Sequence, residues 1–143
     1  LIGNEFSKKN KNKIIKIAIS STIISFIFAI IYFLIFYLFI DNIIILMTSI
    51  NSVILETQNY ALWIIVSPLI SFLSFQMDGI FIGANKTRIM RNTVIISFII
   101  FIISLCILVP FYENNGLWLS FILFLFLRGV LLVTKFKEIY NFN

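Results

Sequence analysis

The chain has 143 residues, 61% of them hydrophobic and 12% charged, with a formal net charge of +5. A soluble domain carries about 25% charged residues, so this chain cannot cover a water-facing surface, and its hydrophobicity also excludes disorder. With no histidine and one cysteine, Cys106, it forms no internal disulfide and lacks the usual zinc-site and Cys/His or Ser/His catalytic sets. A polytopic membrane protein remains.

In chain order, residues 1–13 are a basic segment. Four apolar runs come next, at residues 14–40, 60–82, 93–111 and 117–134. Each is near the ~20 residues that a hydrocarbon layer of about 30 Å requires of a helix. They are continuous rather than alternating and about twice the length of a barrel strand, which excludes a β-barrel. The first run is too long for the apolar core of a signal peptide and has no small-residue cleavage site. The expected fold class is therefore all-α integral membrane, with four transmembrane helices.

Between the runs lie links at residues 41–59, 83–92 and 112–116, and a tail at 135–143. Lys8, Lys9, Lys11, Lys13 and Lys16 lie at the first helix, Lys86, Arg88 and Arg91 in the middle link, and Lys135 and Lys137 in the tail; the other two links carry only Asp41, Glu56 and Glu113. Basic residues at every second juncture predict both termini on the cytoplasmic side. Tyr37, Tyr60, Trp63, Tyr112 and Trp118 fall at the opposite junctures, where aromatic rings favour the headgroup layer. In the link at 41–59, Ile43, Leu46, Met47, Ile50, Val53 and Ile54 recur at helical spacing. They predict either a short amphipathic helix on the outer face or a helical extension of the second span.

Polar groups inside the apolar runs are the candidate functional residues. In the second run Ser67, Ser71, Ser74 and Asp78 are spaced 4, 3 and 4 apart and share a helix face. Gln76, Gly79 and Gly83 fall roughly opposite, the two glycines at the spacing that admits a neighbouring backbone. Pro68 removes one ladder hydrogen bond, leaving a carbonyl that nearby serines can satisfy; it reads as a hinge or as a structural proline of the first turns. Asp78 and Arg128 are the two charges well inside apolar runs, at similar depth. They form an ion pair or line a shared cleft; alternatively, Arg128 snorkels to the headgroups and Asp78 bonds to backbone or serines. Cys106, Thr93, Ser97, Ser104 and Ser120 read as packing residues. With no phosphate loop, metal spacing or nucleophile–base set, an enzyme is not expected.

The stretch from Ser67 to Asn92, containing Phe75-Gln-Met-Asp-Gly-Ile-Phe-Ile-Gly-Ala84 and Met90-Arg-Asn92, resembles the multidrug and toxic compound extrusion (MATE) transporters. The likeness is nearer to the branch named after DNA-damage-inducible protein F, where such a phrase marks the tenth helix and the loop after it. Asn115-Gly-Leu-Trp-Leu119 and Leu127-Arg-Gly129 are similar to the start and middle of the family's last helix, and Leu1-Ile-Gly-Asn-Glu-Phe-Ser7 to the end of its eighth, with Asn4 and Ser7 departing from that pattern.

The resemblance implies the C-terminal third of a twelve-helix bundle in the bacterial cytoplasmic membrane, and the absence of an initiating Met fits a fragment. It implies export of cationic or amphipathic compounds in exchange for H⁺ or Na⁺, without a cofactor. The implied partners are the lipid bilayer, the remaining N-terminal helices and a small-molecule substrate, with no nucleic acid. Asp78, Arg128, Gln76, Ser71 and Ser74 are the substrate- or ion-pathway candidates, and Pro68, Gly79 and Gly83 the hinge or packing residues. A lipid-carrier flippase of the same superfamily, a self-contained four-helix exporter acting as a dimer and a non-transporting membrane subunit are the competing readings. Four helices are too few for both halves of an alternating-access cleft, so residues 1–143 alone are expected not to transport.

Overall fold

The computed structural model describes residues 2–140; Leu1 of the opening phrase and residues 141–143 of the expected tail lie outside the described residues. The described chain is helical apart from short links: α1 (Ile2–Ser7), α2 (Lys11–Met47), α3 (Asn51–Asn59), α4 (Ala61–Gly83) and α5 (Thr87–Thr134), then a 3-10 helix at Phe136–Tyr140. Three of these, α2, α4 and α5, are long and apolar enough to cross a membrane.

The third and fourth apolar runs, expected as separate spans, are joined into the single 48-residue α5. That helix is not straight. Phe101 and Phe124, which a continuous helix would hold about 35 Å apart at 1.5 Å per residue, have ring centroids 5.8 Å apart. The reversal is at Glu113, whose backbone leaves the helical region (φ 48°, ψ −127°). It needs a glycine beside it: a Cβ on Gly116 would lie 2.5 Å from the carbonyl oxygen of Leu108. α5 is thus two antiparallel limbs, and the expected loop at 112–116 reduces to one non-helical residue within it.

The other links also differ from expectation. The periodic stretch after the first run is not one amphipathic helix. α2 absorbs Ile43, Leu46 and Met47, then stops at Thr48, which is fully extended (φ −151°, ψ 145°) and whose hydroxyl accepts a hydrogen bond from the Ile50 amide at 3.3 Å. The short α3 beyond it has no buried residue and is set off from α4 by the non-helical Tyr60. It is tied back to α2 by Gln58 Nε2 donating to Asp41 Oδ1 at 2.8 Å. The link expected at 83–92 is confined to residues 84–86, where Asn85 takes the left-handed conformation (φ 55°) that its short polar side chain tolerates; Thr87 already begins α5.

α4 is the central helix, packed between α2 and α5. The main apolar core lies at one end of the bundle, where Ile14, Ala18, Phe81, Ala84, Leu132 and Ile139 come together. At that end a Cβ on Gly3 would come within 2.9 Å of the Gly83 carbonyl oxygen, and the Lys11 ammonium sits 4.5 Å above the Tyr140 ring. All the basic junctures therefore share one end of the bundle. Away from it, most apolar side chains of α2 and of the first limb of α5 are exposed, Leu38 at 66% and Ile99 at 54% among them. Water would not tolerate such a surface; acyl chains would.

Candidate functional site

Pro68 cannot donate the amide hydrogen that the Ile64 carbonyl would otherwise receive. The neighbouring Ser67 replaces it, its Oγ donating to the Ile64 oxygen at 2.9 Å, so the helix carries the proline without an orphaned carbonyl. Beyond this point, the polar residues of α4 separate into two groups that face different neighbours.

One group faces the second limb of α5. Arg128 Nη2 lies 2.5 Å from Asp78 Oδ2, with side-chain exposures of only 19% and 12%. The structure thus realises the direct pair rather than a snorkelling arginine, because both helices bring the charges to the same depth and Gly129, beside Arg128, lets them close. A Cβ on Gly129 would lie 3.1 Å from the Ser74 backbone nitrogen. Ser74 is fully buried there, its hydroxyl donating to the Ser71 carbonyl at 3.0 Å. The pair is not saturated: Asp78 Oδ1 and Arg128 Nε are buried without a hydrogen-bond partner among the described residues. Leu108 against Gly116 and Phe101 against Phe124 fix the register between the two limbs, which places Ser97 level with Arg128. The Ser97 hydroxyl, read from sequence as mere packing, is also buried without a partner among the described residues. Near the other end of α4, Trp63 Nε1 donates to Asn115 Oδ1 at 3.0 Å.

The other group faces α2. Gln76 is held at both ends of its amide: Oε1 accepts from Ser25 Oγ at 2.5 Å, and Nε2 donates to Ser21 Oγ at 2.7 Å. Neither serine was among the sequence candidates, although Ser20, Ser21, Thr22 and Ser25 visibly interrupt the first apolar run. Next to this bridge a cavity of about 330 Å³ opens between α2 and α4, with Pro68, Ser71 and Gln76 in its wall. Ser71 shares a stripe with Asp78 by spacing, but sits at its edge and lines the α2 side.

The glycine pair needs correction. Gly83 meets Ile2, 3.4 Å from its would-be Cβ, but a Cβ on Gly79 would meet nothing within 4 Å. The reason is that α1 crosses α4 only at its last turn; one turn earlier the two helices diverge, and Gly79 borders a gap rather than a contact. Among the described residues no group of three or more His, Cys, Asp or Glu could hold a metal ion.

The family model MatE matches residues 1–108, a span that contains α1 to α4 and most of the first limb of α5 but not Arg128. The chain is also similar to DNA damage-inducible protein F of Escherichia coli (strain K12), with 30% identity over 118 residues, which is 82% of this chain and 25% of that relative. The chain therefore spans about a quarter of the length of the curated relative it matches. No solved structure matches it. A charge-paired, polar-faced α4 set among long apolar helices is thus found in a chain most of whose length fits one membrane-protein family model, and on that match the chain belongs to the MatE family.

Proposed function

We propose that this chain is part of a MATE-type secondary active transporter, crossing the bacterial cytoplasmic membrane four times with both ends on the cytoplasmic side. Together with further helices it exports cationic or amphipathic compounds in exchange for H⁺ or Na⁺. The observation that carries this reading is membership of the MatE family over residues 1–108.

The site geometry supports it. A lone charge at mid-bilayer costs about 2.5–3.5 kcal/mol on insertion scales, and a pair with no net charge rests there more easily. Separating Asp78 from Arg128 would present a carboxylate to an entering cation. In this reading Asp78, Arg128, Ser74, Gln76 and Ser71 border the substrate or ion pathway, Pro68 permits bending, and Gly79 and Gly83 adjust packing.

Two measurements test the proposal. In a Cys106→Ser background, a membrane-impermeant maleimide added outside whole cells should label a cysteine replacing Glu113 and spare one replacing Arg88 until the cells are opened; the reverse overturns the topology. In a strain lacking efflux pumps, residues 1–143 alone should leave ethidium accumulation unchanged. Joined to the other three quarters of the Escherichia coli relative, the same residues should lower it, in a manner abolished by Asp78→Asn. Ethidium export by residues 1–143 alone overturns the need for further helices.

A further inference from the structure

The cavity between α2 and α4 does not belong to the charge pair. Its wall is aromatic on both sides, with Phe28 and Tyr32 from α2 and Phe72 and Phe75 from α4; Ala29 and the Pro68 turn form its floor, and it opens to the outer surface of the helix pair. Among the described residues no Asp, Glu, Lys or Arg lines it, and Asp78 faces α5 instead, engaged with Arg128. The polar capacity within reach is of a particular kind. The Gln76 amide is already used at both its oxygen and its nitrogen. The Ser71 and Tyr32 hydroxyls make no hydrogen bond among the described residues, so two neutral hydroxyls face the cavity with both donor and acceptor capacity unused.

A cavity of about 330 Å³ is at the lower end of small-molecule sites, which run from about 300 to 1,000 Å³ and combine apolar and aromatic walls with a few placed polar groups. Aromatic walls favour a flat ring, through offset or edge-to-face contact. A cation would gain some attraction from those ring faces, but would leave water with no carboxylate to meet it, and an ion in an apolar layer costs far more than the rings return. We propose that this cavity is a binding site for an uncharged aromatic amphiphile, a ring system bearing one hydroxyl or carbonyl group, with its ring between Phe28, Phe72 and Phe75 and its polar group on Ser71. The site is distinct from Asp78–Arg128, and its occupancy does not depend on transport.

The test is equilibrium binding of 2-naphthol to residues 1–143 in phosphatidylcholine nanodiscs, with empty nanodiscs subtracted to remove partition into lipid. Binding should saturate at one site. Ala29→Phe, which fills the cavity from α2, should weaken it by about tenfold or more. Ser71→Ala should weaken 2-naphthol by about fivefold, the loss of one hydrogen bond, and leave naphthalene unchanged. The trimethylammonium analogue of 2-naphthol should bind at least about tenfold more weakly than 2-naphthol itself. Non-saturable uptake, or saturable binding that neither substitution alters, overturns the site. Equal binding of the cation overturns the class of ligand. Should Ala29→Phe fail to fold, as judged by its helical circular dichroism, Ser71→Ala and Phe72→Leu decide the matter by the same comparison.

Discussion

The two long faces of α4 are built from the same helix at the same depth, yet they pack in opposite ways. Toward the second limb of α5 the contact is close: Trp63 reaches Asn115 at one end, Gly129 lies on Ser74 in the middle, and Asp78 meets Arg128 beyond it. Toward α2 the contact runs through larger side chains, with Phe26 and Phe72 ring centroids 5.2 Å apart. Contact is kept by the Gln76 bridge to Ser21 and Ser25, and a cavity remains beside it. In lipid, helices gain little from burying apolar surface and associate through close packing and hydrogen bonds. Both means operate in one helix here: glycine and serine give close packing toward α5, and a polar bridge joins α4 to α2.

If that contrast is right, the largest effect belongs to the charged side. Asp78→Ala leaves Arg128 buried and uncompensated and should destabilise the helix packing by about 3–5 kcal/mol, measured by unfolding in mixed micelles of increasing SDS fraction. Arg128→Ala should cost a similar amount, and the exchange Asp78→Arg with Arg128→Asp should recover part of the loss. No recovery would mean that the arrangement, not the attraction, is what matters.

An intermediate effect is expected from steric change on the same face. Gly129→Leu must push against the Ser74 backbone nitrogen, 3.1 Å from the position of its Cβ, and overpacking of this kind costs about 1–3 kcal/mol. In the same SDS titration Gly79→Leu, with nothing within 4 Å of its Cβ, should leave packing nearly unchanged. If the two glycines behave alike, the close contact has been assigned to the wrong face.

The smallest effect belongs to the α2 side. Gln76→Leu removes two hydrogen bonds at a level where transmembrane side-chain bonds average about 0.6 kcal/mol each, so a loss of about 1 kcal/mol is expected. It should also loosen α2 from α4 selectively: a cysteine pair across Phe26 and Phe72, whose ring centroids are 5.2 Å apart, should cross-link more slowly, while one across Trp63 and Asn115 keeps its rate. Equal slowing at both would mean that the two faces of α4 are coupled.

Composition and spacing determined much of this by themselves. Runs of some twenty apolar residues have few solutions in lipid, since every backbone polar group must be paired within the segment, so the helical class was legible, as was the clustering of basic junctures. Asp78 and Arg128 were legible as a candidate pair because charge inside an apolar run is costly and demands an explanation. The Pro68 compensation could be anticipated too, because the orphaned carbonyl lies one turn back from any proline and the adjacent serine is within reach. Periodicity was less reliable in the links. It could not distinguish the last turn of α2 from the start of α3, since both carry the same apolar spacing and only the extended Thr48 separates them.

Other features belonged to the tertiary structure alone. Nothing in the order of residues said that Ser21 and Ser25 would meet Gln76, that Ser71 would part from Asp78 to line a cavity, or that Gly79 would border a gap while Gly83 touches a neighbour. Those outcomes depend on where a second helix crosses and at what distance, and a helix's own period specifies only its faces. The bilayer constrains each segment separately, so local sequence suffices to say that a helix forms; which faces meet is decided by pairwise fit between segments far apart in the chain, and only the packed bundle carries that information.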